Sequence, residues 1–291
     1  EKTIIDHSSS EISTEDAAVL LEVVRKELEN DIYKFYVGTS YRHLTIWDKG
    51  EVVDLTPPHD VLGQKIGQYL PKDDKLREMM KKSYDILSNH PINVERMKKG
   101  LNPANSLWFW GAGTRPMLTS FEEKTGHKGA MISAVDLLKG IAVGAGMKVI
   151  EVEGANGGLD TNYEGKADAA VDVLLNGGCD FAYIHLEAPD EMGHQGSYER
   201  KVKAIENLDK RIIKRVVEKM EAAGEDFRML VLPDHPTPVA IRTHVSDPVP
   251  YMLYDSTDKK NNTWSYNEKD GEASGNYIAE GHTIINRLFE K

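Results

Sequence analysis

One short segment carries an acidic and a basic side chain at a spacing that suits metal binding. Asp190 and His194 stand four residues apart, so a single helical turn would place the carboxylate and the imidazole on the same side. Taken alone, such a pair is more often an ion pair on a helix surface. The pair gains weight because a strand-like apolar run, 181–186, directly precedes it. We therefore interpret the pair as half of a candidate metal site.

A second group of ligand-type residues follows about forty residues later. Asp234 and His235 come directly after the apolar run 228–232, and His244 lies in the next loop. Three imidazoles and two carboxylates, delivered by loops at strand ends, suit borderline divalent cations. Since one working cation rarely takes five protein ligands, we expect two ions to share the set. The mixed nitrogen and oxygen donors favour Mn²⁺, with Zn²⁺ as the alternative.

The order D-x-x-G-H, then D-H, then H-x-x-x-P-V-P resembles the alkaline phosphatase superfamily, and more narrowly its cofactor-independent phosphoglycerate mutases of the archaeal type. The resemblance extends over essentially the whole chain, because further segments match in order. These segments are residues 6–8, 40–44, 56–60, 110–113, 136–140, 161–166 and 247–250. Such an ordered series makes coincidence a poor explanation.

The resemblance implies an isomerase of glycolysis and gluconeogenesis that interconverts 3-phosphoglycerate and 2-phosphoglycerate without 2,3-bisphosphoglycerate. The phosphoryl group would pass through a phosphoserine, and two divalent ions would stabilise its charge. The first ion would be bound by Asp190, His194 and His244, and the second in part by Asp234 and His235. Two alternatives stay open: a metal-dependent phosphatase or phosphodiesterase of the same superfamily, and a silent metal-binding fragment.

One departure from the family concerns the nucleophile. In the family, the phosphoryl-accepting Ser and a further metal-binding Asp lie in an N-terminal segment, before the position that corresponds to Glu1 here. We therefore expect an N-terminally truncated mutase, with no catalytic nucleophile in this chain and no activity of the isolated fragment. Ser8, Ser9 and Ser10 are expected to form a turn before a helix rather than to replace the nucleophile.

The resemblance also suggests substrate-binding residues. Lys139 resembles the family lysine that reaches the phosphoryl group, although a solvated helix residue is nearly as good an interpretation. Arg115 has the fork geometry to bind a carboxylate or phosphate oxygen, with surface charge as the alternative. A third group would bind the glycerate carboxylate and hydroxyls from the inserted domain, although turn histidines are often structural. Its members are Arg42, His43, His7, Asp6 and His59.

The predicted fold is α/β: an alkaline-phosphatase-like parallel-sheet domain at 100–291, incomplete at its N-terminus, and a smaller inserted, substrate-capping α/β domain at 1–99. The first region predicts, in order, strand 3–6, a helix from 13, strands 32–37, 41–47 and 52–55, and two charged helices. The helix begins with a capping-box-like pattern at 13–16, and an apolar stripe is predicted to face inward, formed by Ala17, Leu20, Leu21, Val24 and Leu28. The second region alternates helices, the clearest at 197–220, with strands 107–110, 129–133, 148–152, 181–186 and 229–232. Short connections of this kind favour a parallel sheet with ligands at the strand ends.

Composition excludes several classes of protein. A formal net charge of −11 argues against nucleic-acid binding, which needs clustered Lys and Arg. No apolar stretch approaches the length of a membrane span, so no membrane partner is expected. The single cysteine, Cys179, excludes an internal disulfide framework and suits a reducing cytoplasm. The expected partner is therefore a small phosphoglycerate substrate, and the expected location is cytoplasmic.

Overall fold

The structure, a computed structural model, describes residues 2–258 and 263–290. The chain divides into two compact units, Glu1–Arg115 and Pro116–Lys291. The division falls sixteen residues later than the predicted boundary between 99 and 100. Residues beyond 99 join the first unit because the buried Asn93 holds Ala104, accepting from its N–H at 2.8 Å and donating to its carbonyl at 2.9 Å.

The first helix of unit 1, α1 (Thr14–Leu28), is the one predicted from the capping pattern. Ser13 is its N-cap, and the Ser13 hydroxyl accepts a hydrogen bond from the N–H of Asp16 at 3.2 Å. The apolar stripe that was predicted to face inward is buried, which confirms the helical period. Its members are Ala17, Leu20, Leu21, Val24 and Leu28.

The remaining elements of unit 1 are an antiparallel ribbon and two helices. Strands β1 (Tyr33–Tyr36) and β2 (Leu44–Trp47) pair from Tyr33 opposite Trp47 to Tyr36 opposite Leu44. Helices α2 (Asp74–Leu87) and α3 (Pro91–Lys98) follow two 3₁₀ turns, Pro58–Val61 and Ile66–Tyr69. Phe35 from β1 and Leu76 from α2 pack into one core with the stripe of α1.

Three predicted strands of this region do not form in the described residues. Residues 3–6 make only a single antiparallel bridge, between Thr3 and Lys65. Residues 52–55 and 107–110 are irregular, and the Trp108 indole instead donates to the carbonyl of Thr56 at 2.8 Å. Those predictions were wrong because a short apolar run also suits a segment that packs on a core without a ladder partner.

Unit 2 contains a parallel sheet, which confirms the predicted α/β class. Its strands β3 (Gly129–Ile132), β4 (Lys148–Val149) and β5 (Phe181–Ile184) lie in the order β4-β3-β5. The strand β3 is buried along its whole length, as a central strand between covering helices must be. Those helices are α4 (Phe121–Thr125), α5 (Asp136–Gly144) and α6 (Tyr163–Leu175).

The last strands form a separate antiparallel ribbon. Strand β6 (Arg228–Val231) pairs with β7 (Met252–Asp255), whereas the sequence pattern placed the run 229–232 in the parallel sheet. The pattern of apolar side chains indicates which residues are buried but not which strand lies alongside. The antiparallel pairing of β6 with β7 could therefore not be predicted from it. Strand β6 still ends shortly before Asp234, so that Asp234 lies in the loop after a strand, as predicted.

Helices connect the sheet to the ribbon. After β5 come α7 (Ala188–His194) and α8 (Tyr198–Asn207), then a π-helical segment, Leu208–Ile213, and α9 (Lys214–Ala223). The predicted helix 197–220 is thus present but interrupted by the π segment. Short helices α10 (Glu268–Ala273) and α11 (Asn286–Phe289) follow the ribbon. Within the described residues, none of the helices combines the length and the apolarity that a membrane span requires.

Candidate metal centre

Helix α7 brings the first two ligand-type residues together. It follows β5 after the short connection 185–187, and Pro189 in its first turn has the φ angle that a helix start needs. One turn separates Asp190 from His194, and the His194 Nε2 atom lies 3.3 Å from the Asp190 Oδ2 atom. The predicted helical pairing is therefore present in the structure.

Two further histidines converge on the same carboxylate. His244 Nε2 lies 3.3 Å from Asp190 Oδ1 and 3.1 Å from His194 Nε2. The ring of His235 lies against the ring of His244, with 3.7 Å between centroids. Ligand atoms of Asp190, His235 and His244 all fall within 4.8 Å of one another. We call Asp190, His194, His235 and His244 the histidine cluster.

The separations in the histidine cluster suit a bound cation. Ligand atoms of a tetrahedral ion with metal–nitrogen distances of about 2.0–2.1 Å stand about 3.3 Å apart. The His194, His244 and Asp190 atoms are separated by 3.1 to 3.3 Å. Two imidazole nitrogens that face each other need one proton between them, whereas a cation would use both lone pairs. The donor set and its spacing therefore fit a divalent metal.

The grouping of ligands differs in one respect from the sequence-based assignment. His235, expected at a second ion with Asp234, also lies within ligand distance of Asp190 and His244. Its Nε2 atom is 3.4 Å from Asp234 Oδ2, and the Asp234 side chain is 72% exposed. Asp234 therefore adjoins the histidine cluster from the solvent side, and the assignment of individual residues to two ions stays a prediction.

Residues that sequence reasoning did not select support the cluster. Thr237 is buried, and its hydroxyl contacts both Asp190 and His235. Lys201 of α8 donates to the Thr237 carbonyl at 2.5 Å. His185, at the end of β5, lies 3.3 Å through Nδ1 from the hydroxyl of the buried Ser133, which follows β3. The position of His185 near the carboxyl end of the predicted strand 181–186 was the available signal.

Buried charges surround the site. Burial lowers the pKa of the Lys166 ammonium, which lies beside Glu187 and donates to the His185 carbonyl at 3.2 Å. Burial, together with Glu191 and Asp190, raises the pKa of Glu187. Burial also lowers the pKa of His185, although the charges of Asp234 and Asp190 act against it. The pKa values move in opposite directions because burial disfavours the charged form of each group, which is the protonated form of Lys166 and His185 and the deprotonated form of Glu187.

Lys139 lies on α5, and its Nζ atom is 2.8 Å from an oxygen of the exposed Glu151. This contact supplies an ordinary ion-pair partner for the lysine that the sequence singled out for the phosphoryl group. The substrate role of Lys139 therefore remains a prediction.

In unit 1, several predicted substrate residues share the lining of one cavity of about 1870 Å³. Asp6, His7, His43 and Arg115 all line it. The ring of His7 packs edge-on against His59, with 5.8 Å between centroids, and the Nδ1 atom of His7 is buried without a hydrogen-bond partner. The guanidinium of Arg42 lies 5.3 Å from the ring of Tyr41, which also lines the cavity. The sequence thus selected residues that the fold brings near one another.

The segment after His7 is held in an unfavourable conformation. Ser9, Ser10 and Glu11 have φ angles of 52°, 55° and 49°, a left-handed turn made without glycine. Asp6 holds this turn, because its carboxylate accepts hydrogen bonds from the N–H groups of Ser8 and Ser10 at 2.8 and 2.6 Å. Strain of this kind persists only where the surroundings fix it, and it often marks a ligand site.

The environment of Asp6 explains how it acts on that turn. Burial raises the pKa of its carboxyl group, but hydrogen bonds from Asn102, Ser10 and Ser8 outweigh burial and hold the pKa well below its usual range. Both oxygens of Asp6 therefore accept hydrogen bonds from within unit 1.

Comparison with known proteins gives the family. The family model of the Metalloenzyme superfamily matches residues 38–282. The 2,3-bisphosphoglycerate-independent phosphoglycerate mutase of Methanosarcina barkeri is 51% identical over 261 residues, which are 88% of this chain and 65% of the relative. The mutase of the same name from Methanothrix thermoacetophila is 41% identical over 98% of this chain and 72% of the relative. The chain thus spans slightly less than two thirds of the length of the Methanosarcina barkeri relative.

A solved structure supports the fold. The PH0037 protein from Pyrococcus horikoshii superposes with a TM-score of 0.76 and 25% identity, over 99% of this chain and 71% of that protein. The matches in sequence and in fold together cover nearly the whole chain, including all members of the histidine cluster. The chain belongs to the Metalloenzyme superfamily and, within it, to the family of 2,3-bisphosphoglycerate-independent phosphoglycerate mutases.

Proposed function

We propose that this chain forms the metal-binding part of a phosphoglycerate mutase that interconverts 3- and 2-phosphoglycerate without 2,3-bisphosphoglycerate. The observation that carries the proposal is the convergence of Asp190, His194 and His244 to separations of 3.1 to 3.3 Å in a chain of this family. The proposal extends the activity of the longer relatives to the protein that contains these 291 residues.

The proposed cofactors are two divalent cations, with Mn²⁺ favoured over Zn²⁺ for a mixed imidazole and carboxylate set. Asp190, His194 and His244 would hold one ion, and Asp234 with His235 would contribute to the other. Bound cations supply positive charge to phosphoryl oxygens, the main requirement of a loose phosphoryl-transfer transition state.

The chain's own residues would carry out the remaining tasks. In unit 1, the buried, unpaired Nδ1 atom of His7 is available to a glycerate hydroxyl or carboxylate. Arg115 and Arg42 supply guanidinium groups that match a carboxylate. Asp6 would act indirectly, by holding the turn that follows His7. In unit 2, Lys139 would add a cationic group for the phosphoryl oxygens once it leaves Glu151.

A coupled enolase assay tests the activity. Because the chain covers 65% of the Methanosarcina barkeri relative, the assay uses the chain joined to the portion of that relative it does not match. We expect 3-phosphoglycerate turnover with Mn²⁺ and without 2,3-bisphosphoglycerate, and its loss in the His244→Ala variant. The variant His127→Ala is the matched control, because His127 stacks on Phe289 at 4.3 Å and not on the histidine cluster.

Two results would contradict the proposal. Turnover that needs added 2,3-bisphosphoglycerate would refute the cofactor-independent reaction. Release of inorganic phosphate without 2-phosphoglycerate would instead identify a phosphatase of the same superfamily. A cytoplasmic location and a substrate that is a small phosphoglycerate, with no nucleic acid or membrane, belong to the same proposal.

A further inference from the structure

A buried threonine connects two members of the histidine cluster. Thr237 is 3% exposed, and its Oγ1 atom donates a hydrogen bond to the carboxylate of Asp190. The same Oγ1 atom lies 3.3 Å from the Nδ1 atom of His235. No other side chain in the described residues makes hydrogen bonds to both of these residues.

The position of Thr237 is fixed through its main chain as well. Lys201 of α8 donates from Nζ to the Thr237 carbonyl at 2.5 Å. Gly193 of α7 leaves the space that this carbonyl occupies, since a Cβ atom there would stand 2.4 Å from the carbonyl oxygen. Two helices therefore hold the threonine from one side while its hydroxyl faces the ligands.

The hydroxyl chemistry determines the proton position on His235. A threonine has one O–H hydrogen, and Asp190, an acceptor only when ionised, takes it. Toward His235 the hydroxyl must therefore accept, so that Nδ1 carries the proton and Nε2 keeps its lone pair. That Nε2 atom lies 3.4 Å from Asp234 Oδ2, so a cation beside these two atoms would be bound by both residues.

We propose that Thr237 is a positioning residue of the metal centre, which orients the Asp190 carboxylate and fixes His235 with its Nε2 atom free to bind a cation. This inference rests on the metal site of the proposed function. Partners of this type typically change metal affinity by about 10- to 100-fold when they are removed. Thr237 therefore affects both ligand groups without touching the ion.

Calorimetric titration of the metal-stripped 291-residue chain with Mn²⁺ tests the inference. In Thr237→Val, which keeps the branched shape, the dissociation constant should rise by about 10- to 100-fold. Thr237→Ser should restore binding to within a few fold, because it keeps the hydroxyl. Thr125→Val is the matched control. The Thr125 hydroxyl donates to the Phe121 carbonyl and accepts from the N–H of His127, both outside the histidine cluster, so this variant should bind Mn²⁺ like the wild type.

Nitrogen NMR of the imidazoles supplies a readout that packing alone would not change. At pH 8 in the metal-free chain, His235 should be protonated on Nδ1 in the wild type and should lose that preference in Thr237→Val. An unchanged dissociation constant in Thr237→Val, with binding intact in the wild type, would overturn the inference and leave the metal site standing. Failure of the wild type to bind Mn²⁺ or Zn²⁺ would overturn the metal site itself.

If Thr237→Val does not fold, a lysine pair on α8 decides the question. Lys201→Met removes the hydrogen bond to the Thr237 carbonyl and should weaken Mn²⁺ binding several-fold. Lys203→Met, which removes only a surface ion pair with Glu206 at 3.6 Å, should leave binding unchanged. Equal dissociation constants for the two variants would overturn the inference.

Discussion

A single methyl group added to α7 should disturb the metal centre measurably. Gly193 lies in this helix, and an added Cβ atom would stand 2.4 Å from the carbonyl oxygen of Thr237, 2.9 Å from its Cγ2 atom and 3.1 Å from Lys201 Nζ. The nearest of these atoms belongs to the main chain and has no rotamer by which to move away. The variant Gly193→Ala must therefore displace the loop that holds His235.

The magnitude follows from two opposing effects. Replacing a helical Gly by Ala is favourable by about 1 kcal/mol in open surroundings. Forcing a carbon into a filled space costs about 1–3 kcal/mol, and contact with a main-chain atom points to the upper part of that range. We expect Gly193→Ala to lower the free energy of unfolding by about 1–2 kcal/mol. For a domain of 150–250 residues this corresponds to a fall in Tm of about 2–8 °C.

Thermal unfolding followed by circular dichroism measures this change. Gly140→Ala in α5 is the matched control, because no atom lies within 4 Å of its added Cβ and the glycine is exposed. That variant should gain about 0.5–1 kcal/mol. If Gly193→Ala were as stable as Gly140→Ala, the close approach of α7 to Thr237, and the positioning argument built on it, would be refuted.

Two further predictions concern stability. Asp168→Asn should lower the free energy of unfolding by about 0.5–1 kcal/mol at pH 7, since the partly exposed carboxylate binds Arg215 at 2.6 Å. The Arg215 hydrogen bond lowers the pKa of Asp168 to about 2. The extra stability of the wild type should therefore be fully present above the ordinary pKa of 3.8 and should fade as the pH falls toward 2, as urea titrations at several pH values would measure. A stability difference independent of pH would contradict this origin. Asn93→Ala should cost about 2–4 kcal/mol, because buried groups of Leu87 and Ala104 lose their partners. A loss below about 0.5 kcal/mol in the same titration would show that water replaces the amide there.

The sequence predicted those features that depend on local periodicity. The stripe from Ala17 to Leu28 identified α1, because a helix must bury one face. The spacing of Asp190 and His194 gave their proximity for the same reason, since four residues make about one turn. Family resemblance added the order of the motifs, which the matches confirm at the level of the family.

Features that depend on tertiary contacts were not predictable in the same way. The strand β6 was recognised, but its antiparallel pairing with β7 was not, since an apolar pattern does not specify a neighbouring strand. Thr237 was passed over because its role comes from contacts with Asp190 and Lys201, which lie 47 and 36 residues away in the chain. The division at Arg115 likewise depends on the buried Asn93 and its contacts with Ala104.

Metal titration of single-histidine variants tests the central claim most directly. The metal-stripped chain should bind at least one equivalent of Mn²⁺ or Zn²⁺ by calorimetry and elemental analysis. His194→Ala and His244→Ala should each weaken binding by about 100-fold or more, since a direct ligand contributes at least as much as a residue that only orients one. His127→Ala, which alters an imidazole outside the cluster, should bind like the wild type. Unchanged affinity in both His194→Ala and His244→Ala would contradict the assignment of a metal centre to these residues.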